Sequence, residues 1–423
     1  MSAEKKKIVK RSKTNSVMEL VASRLGVTPQ ELEREVSGKC KNVLNIAGLD
    51  KAVDLFWSMI DSPVYVYCDY DCDGITSGSI ISIGCNSIGI KPHIIIPRRF
   101  TDGYGIKIKN LENMDPSGLL ITVDNGIAAN EAVDAAKEKG MKVIILDHHE
   151  ARILNGEQFL PEADVVIDPH ITEADFEDYC GAGLAYRFMR EVFAKKRRPA
   201  DLNGIMSSMI ALAAVGTIGD SVTMKAENRF LVRRGMEQIE QRRVSTGLAL
   251  LLEEMELSDT LSVEDIAYSL VPAINAFGRL EDEGSRKVAA LLSYNGRKSD
   301  GAKNAAQIVK QMNDERKTYC KELTELAEKM VEETGQMNNS VLVLQDNRFL
   351  KGICGIIAGN LTEKYKVPSI VFGAPENGIC VGSGRSRDWC NLKAVMDKCS
   401  GLFFQYGGHP AACGASIQIE NID

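Results

Sequence analysis

Apolar and polar positions divide this chain into stretches of three kinds. Up to about residue 60 it is polar, with apolar residues at helical spacing over 16–25, 29–36 and 49–60, which reads as an accessory segment. From residue 64 short apolar runs alternate with helix-length segments, predicting strands over 64–68, 93–96, 119–123 and 142–146 and helices over 74–88 and 128–140. Strand, helix, strand at this spacing means an α/β fold whose parallel sheet carries helices on both faces. From 181 to about 292 the pattern turns mainly helical and includes the apolar stretch 206–218. Residues 300–334 hold no Gly or Pro after Gly301, and apolar positions such as Ile308, Met312, Tyr319, Leu323 and Leu326 stand among many charges. That predicts one long exposed helix connecting two domains. Short apolar runs over 341–344, 369–372, 379–381 and 415–419 then predict a second, smaller α/β domain. The expected division is a helical, basic segment over 1–50, a parallel-sheet domain with a helical extension over 51–299, a connector over 300–335 and the second domain over 336–423.

Three of the predicted strands run straight into residues of ligand type. The run 64–68 enters Asp69-Tyr70-Asp71-Cys72-Asp73, 119–123 enters Asp124-Asn125-Gly126, and 142–146 enters Asp147-His148-His149-Glu150. The carboxyl ends of parallel strands share one edge of the sheet, and ligands bind in the crevice there. Asp71, Asp73, Asp124, His148 and His149 are therefore expected to converge. Carboxylates so placed repel one another unless cations sit between them. Carboxylates with imidazole and no thiolate suit Mn²⁺ or Mg²⁺, with Zn²⁺ or Co²⁺ as substitutes. An Asp at one strand end is as often a turn former or a helix cap. Three in one sheet, one with paired histidines, outweigh that reading.

Competing motifs fail on particular residues. Asp69, Asp71, Asp73 and Gly74 match the first half of a calcium-binding EF-hand loop, but Ile80 stands where the bidentate Glu belongs and a strand precedes. Neither a phosphate-binding P-loop nor a GxGxxG turn follows the first strand.

With 423 residues, 44% of them hydrophobic, the chain suits two or three soluble domains. No run of about 18 uncharged apolar residues is read in it, and no apolar stretch follows Lys5, Lys6, Lys7, Lys10 and Arg11, so a cytoplasmic protein without a membrane span is expected. Eleven scattered cysteines without a CxxC pair argue against a disulfide framework and a zinc knuckle. The net charge, 51 − 58 = −7, is unusual for a nucleic-acid binder. Metal-held carboxylates account for part of it, and basic residues cluster at Lys195-Lys196-Arg197-Arg198, at Arg242-Arg243 and at the N-terminus.

Asp69 to Gly74, Asp124-Asn125-Gly126, Asp147-His148-His149 and Gly219-Asp220 resemble, in order and spacing, the four motifs of the DHH phosphoesterases. Tyr104-Gly105 after Pro97-Arg98, the turn Cys180-Gly181-Ala182-Gly183, the segment Gly216 to Asp220 followed by Glu227-Asn228-Arg229, and Asn275-Ala276-Phe277-Gly278-Arg279 are similar to the RecJ single-strand-specific exonucleases. Gly382-Ser383-Gly384-Arg385-Ser386 and Gly407-Gly408-His409-Pro410 resemble the DHH-associated second domain. The resemblance runs from about residue 50 to the end.

It implies a two-metal phosphodiesterase, a 5′-to-3′ exonuclease on single-stranded DNA that releases 5′-mononucleotides in repair, recombination and replication. Asp71 would hold one ion, Asp73, His148 and Asp220 the other, and Asp124 would bridge them, with Asp69 in or beside the set. His149 would face the scissile phosphate and act, with Asp73 and Asp124, in catalysis. Arg279, Ser383, Arg385, Ser386, Gly408 and His409 would grip the substrate, glycine letting backbone N–H groups approach phosphate in nests. Two Mn²⁺ ions about 4 Å apart, or Mg²⁺, serve an in-line displacement without a nucleophilic side chain. Single-strand-binding and repair proteins are the expected partners. Two further readings are a DHH phosphoesterase for short RNA, cyclic dinucleotides or a nucleotide 3′-phosphate, and a non-catalytic replication scaffold. No counterpart of the family's downstream oligonucleotide-binding barrel is read here. His93 and His170 read as packing or surface residues. Cys68, Cys72 and Cys413 stand in or near the motifs, from which oxidation is expected to disturb the metal site.

Overall fold

The computed structural model describes residues 16–36, 44–103, 105–154, 156–196, 198–257 and 260–422, without the side chains of 25 and 34–36. Lys5 to Arg11, Tyr104 and Arg197 lie outside the described residues.

The first sheet is parallel throughout. It contains β1 (Val64–Cys68), β2 (His93–Ile95), β3 (Leu119–Val123), β4 (Lys142–Leu146) and, after a short hairpin of β5 (Arg152–Leu154) and β6 (Glu157–Phe159), β7 (Val165–Ile167), in the order β2-β1-β3-β4-β7. The central strand β3 is buried at every position, as expected of a parallel strand covered on both faces. Helix Cys72–Ser87 lies almost wholly in the core, against helices Gly181–Lys195 and Leu202–Gly219. The latter bears on the expectation of no membrane span. It is 18 residues long and, carrying no charge, passes by length and composition for a membrane-crossing helix, although Asn203, Ser207, Ser208 and Thr217 interrupt its apolar residues. Here it is a core helix, buried from Ser208 to Ile218 between its neighbours.

The connector is one helix, Asp300–Glu333, of 34 residues. It is less exposed than its charge pattern suggests. Ala306 and Val309 join the core of the first lobe, while Leu323, Ala327 and Val331 join that of the second. At 1.5 Å per residue it spans about 50 Å, and fixing both ends in separate cores makes it a strut.

The second sheet runs β11-β12-β10-β9-β8, from β8 (Leu342–Gln345), β9 (Ser369–Phe372), β10 (Ile379–Arg385), β11 (Phe403–His409) and β12 (Ala412–Gln418). Only β8 and β9 pair in parallel. Here the sequence misleads in two places. Strand β10 continues through Gly382-Ser383-Gly384, and β11, unforeseen, takes in Gly407-Gly408. Both glycine pairs belong to strand ladders, so they form no phosphate nest of the kind expected.

Candidate metal centre

Register builds the site. Cys68 pairs with Val123, Val123 with Leu146 and Leu146 with Ile167, so the last residues of four strands form one row. The next residue in each case is an aspartate: Asp69, Asp124, Asp147 and Asp168. Strands about 4.8 Å apart thus carry four carboxyl groups side by side along the rim, all buried. Asp168 was not foreseen from the sequence, although Asp168-Pro169 after the apolar run Val165–Ile167 is the same signal on a shorter strand.

The other groups come from helix ends. Asp71 caps helix Cys72–Ser87, accepting from the N–H groups of Asp73 (3.0 Å) and Gly74 (3.2 Å). Asp73, in the first turn of that helix, reaches across to another helix. Its Oδ2 accepts from Gly181 N–H at 2.6 Å and its Oδ1 from Ala182 N–H at 2.9 Å. The glycine-rich turn at Cys180 is therefore a helix start whose free N–H groups and positive dipole end hold a carboxylate. A Cβ on Gly181 would stand 2.6 Å from the Asp124 Cβ and 3.1 Å from Asp73 Oδ2. Gly181→Ala is accordingly expected to cost about 1–3 kcal/mol by overpacking and to weaken Mn²⁺ binding, read by thermal unfolding and by Mn²⁺ titration. Unchanged values on both would show that the turn has slack. Asp220 closes the cluster at the C-terminal end of helix Leu202–Gly219.

His148 sits at the centre. Its Nε2 lies 3.1 Å from Asp124 Oδ1, 3.7 Å from Asp220 Oδ2 and 3.8 Å from Asp73 Oδ2. Ligand atoms of Asp73, His148 and Asp220 all fall within 4.8 Å of one another, as do those of Asp69, Asp71 and Asp124 and those of Asp124, His148 and His149. Asp124 has φ 58°, a left-handed conformation that Asp tolerates better than most residues and that turns its carboxyl into the cluster.

Electrostatics separate two kinds of aspartate. Burial, then the charge of Asp71, pushes Asp69 up to about 8. Burial, then Asp73, does the same to Asp220, also about 8. Asp73 and Asp124 are raised too, first by burial. Burial lowers His148, which is therefore neutral and able to ligate. Asp147 behaves differently. Burial pushes it up, but the hydrogen bond and charge of His149 hold it below the usual carboxylate range. It accepts from the N–H of Ile127 (2.9 Å) and of His148 (2.8 Å), and lies 2.8 Å from His149 Nδ1. Burial would lower His149, yet Asp147 lifts it to about 9. Four carboxyl groups driven toward protonation around a neutral imidazole, hard oxygen donors with one borderline nitrogen and no thiolate, fit divalent cations of the Mn²⁺ or Mg²⁺ kind.

The thiols are poorly placed for redox chemistry. Cys68, Cys72 and Cys413 are buried, as is Cys180 beside the metal site, and burial raises each thiol above its ordinary value. A thiol without thiolate character and without access is inert, which removes the basis for oxidative disturbance of the site.

Arginines from both lobes come together where helix Val271–Leu280 meets the second lobe. Arg279 donates to the Gly352 carbonyl at 3.2 Å, and a Cβ on Gly355 would meet Arg385 Nη2 at 2.7 Å and Ser383 Cβ at 3.4 Å. Burial, then Arg99, Arg385 and Arg316, brings Arg279 down to about 10. A knot of guanidinium groups that repel one another calls for an anion. Arg99, missed in the sequence beside Arg98, lies 4.0 Å over the Tyr70 ring and has a buried Nε without a partner. Arg385 and His409 both pair with Ala412, so they share one row across β10, β12 and β11. Gly408 and His409 are exposed. Ser386 is committed elsewhere, its hydroxyl donating to the Cys390 carbonyl at 2.8 Å.

A parallel sheet with a carboxylate and imidazole rim, joined by a strut to a smaller mixed sheet that sets Arg385 beside Arg279, defines a two-lobed protein of the DHH class. Residues 63–217 match the DHH family, N-terminal domain, and residues 338–423 the DHHA1 domain. Within that class the chain belongs to the family of RecJ, the single-stranded-DNA-specific exonucleases. It is 30% identical over 422 residues to RecJ of Escherichia coli, covering 94% of this chain and 71% of that protein. It is 31% identical over 386 residues to RecJ of Bacillus subtilis, covering 89% of this chain but 46% of the relative. A crystal structure of exonuclease RecJ bound to manganese superposes with a TM-score of 0.74 at 26% identity, covering 89% of this chain and 91% of that one.

Proposed function

We propose that this chain hydrolyses single-stranded DNA from its 5′ end, releasing 5′-mononucleotides with the help of two divalent cations, Mn²⁺ or Mg²⁺. The reading rests above all on His148, whose Nε2 stands within 3.1–3.8 Å of three carboxyl groups that no Lys or Arg side chain pairs with among the described residues. Asp69, Asp71 and Asp124 would hold one cation, and Asp73, His148 and Asp220 the other, with Asp124 between them. When bound, such a pair supplies the positive charge for in-line displacement at phosphorus.

The chain's own groups do the rest. Gly181 and Ala182 N–H keep Asp73 aimed at the centre before any cation arrives. His149, held by Asp147 and raised to about 9, is cationic at neutral pH and faces the phosphate as a charge and a proton donor for the leaving oxygen. Arg279, Arg385 and Arg99 bind the strand's phosphates, and Ser383, Gly408 and His409 line the same path. Residues 51–299 form the catalytic unit, 300–335 the strut and 336–423 the substrate clamp. The setting is the cytoplasm, in repair and recombination, beside single-strand-binding proteins.

A length series tests this. With Mn²⁺, a 5′-labelled single-stranded 40-mer should be degraded at least as readily as a trimer, with label released as mononucleotide, while the duplex resists. Preference for the trimer or for a cyclic dinucleotide would make the chain a small-substrate phosphoesterase, and no turnover of any phosphodiester would make it a scaffold.

A further inference from the structure

The chain has two tryptophans, and they sit in opposite settings. Trp57 is 6% exposed, with its indole N–H donating to the Val192 carbonyl at 3.2 Å. Trp389 is 52% exposed. A large side chain left half in water is informative only when its surroundings single it out, and here they do.

Trp389 occupies a turn in which Cys390 N–H donates to the Arg387 carbonyl at 2.9 Å. The loop carrying that turn leaves β10 directly after Arg385 and is stapled to the tip of the β11–β12 hairpin directly after His409. Ser386 N–H donates to the Ala411 carbonyl and Leu392 N–H to the Pro410 carbonyl, both at 2.8 Å. Asn391 caps the following helix, Leu392–Lys398, accepting from Ala394 N–H at 3.0 Å. The indole therefore stands on a loop pinned at both ends, at the end of the strand row that carries Arg385 and His409. Its neighbours favour a base over a phosphate. Arg387 is already engaged by Glu363, and Asp388, exposed beside it, repels phosphate oxygens.

We propose that Trp389 is a stacking platform for a base of the single strand whose phosphates Arg385 and His409 hold, so that it governs how tightly the strand is gripped. This deepens the reading of the chain as a single-strand nuclease and rests on it. Stacking on an exposed aromatic is tolerant of sequence and strong enough to be measured.

In the Mn²⁺-loaded full chain, Trp389→Ala should raise KM for a single-stranded 20-mer about tenfold with kcat within about twofold, and Trp389→Phe should recover most of the loss. With Ca²⁺ replacing Mn²⁺, oligothymidylate should quench tryptophan emission of the unmodified chain but not of Trp389→Phe, which keeps only Trp57. Unchanged KM in Trp389→Ala, or equal quenching in both proteins, overturns the platform and leaves the nuclease standing. If the unmodified chain fails to degrade the 20-mer, both readings fall together.

Discussion

Asp73→Ala and His148→Ala should each lose at least about a hundredfold in kcat on single-stranded DNA while remaining folded. Both residues face three other polar partners in the cluster, and each loss opens one ligand position and misdirects the rest. Asp73 carries a second function, since its carboxyl is the anion that satisfies the start of helix Gly181–Lys195. Asp73→Asn keeps that hydrogen-bonding shape in part, so it should be nearly as inactive as Asp73→Ala but more stable. End-labelled DNA with Mn²⁺ gives the rates, and circular dichroism the fold. Retention of more than a tenth of the activity in either alanine variant would mean that the cluster is not where the bond is cut.

The metal-free protein should lose stability as pH rises, and metal should reverse the trend. Asp69 and Asp220 are raised to about 8, well above their unfolded value near 3.8. A group raised on folding contributes stability that is present below its unfolded pKa and is lost as pH climbs through the folded one, here between about pH 4 and 8. His149, raised to about 9, has the same sign at the upper end of that window. With the cations removed by chelator, Tm should therefore fall from pH 6 to pH 8.5 by several degrees, corresponding to an effect on the order of a few kcal/mol. Adding Mn²⁺ should raise Tm most at the higher pH, because its ligands must be deprotonated.

Asp124→Asn sharpens the test. It replaces a carboxyl group that burial, then the charges of Asp73, Asp71 and Asp69, make costly to ionise, so at pH 8.5 the metal-free variant should melt higher than the parent. The same variant should be inactive and should respond little to Mn²⁺. A lower Tm for metal-free Asp124→Asn would contradict the picture of carboxyl groups forced together and waiting for cations.

The cluster was legible in the sequence because parallel strands deliver their carboxyl ends to one edge, so a run of apolar residues ending in Asp already predicts convergence. Asp69, Asp124, Asp147, His148 and His149 follow from that rule alone, and Asp71 and Asp73 follow because a helix must start right after β1. Asp220 lies outside the rule. It stands at a helix end, and only the ordered set of family motifs drew attention to it. Arg99 looked like any charged residue in a polar loop until its guanidinium was found over Tyr70, beside Arg279.

Local chemistry, then, determined the elements and the ligand types, since periodicity and residue identity are properties of neighbours along the chain. Everything that depends on distant segments meeting was decided by the tertiary structure. Strand register made four aspartates a row, one helix start took hold of Asp73 from 108 residues away, and sheet pairing set Arg385 level with His409. The physical reason is that burial and mutual repulsion, which turn ordinary carboxyl groups into cation ligands, arise only when the chain brings them together.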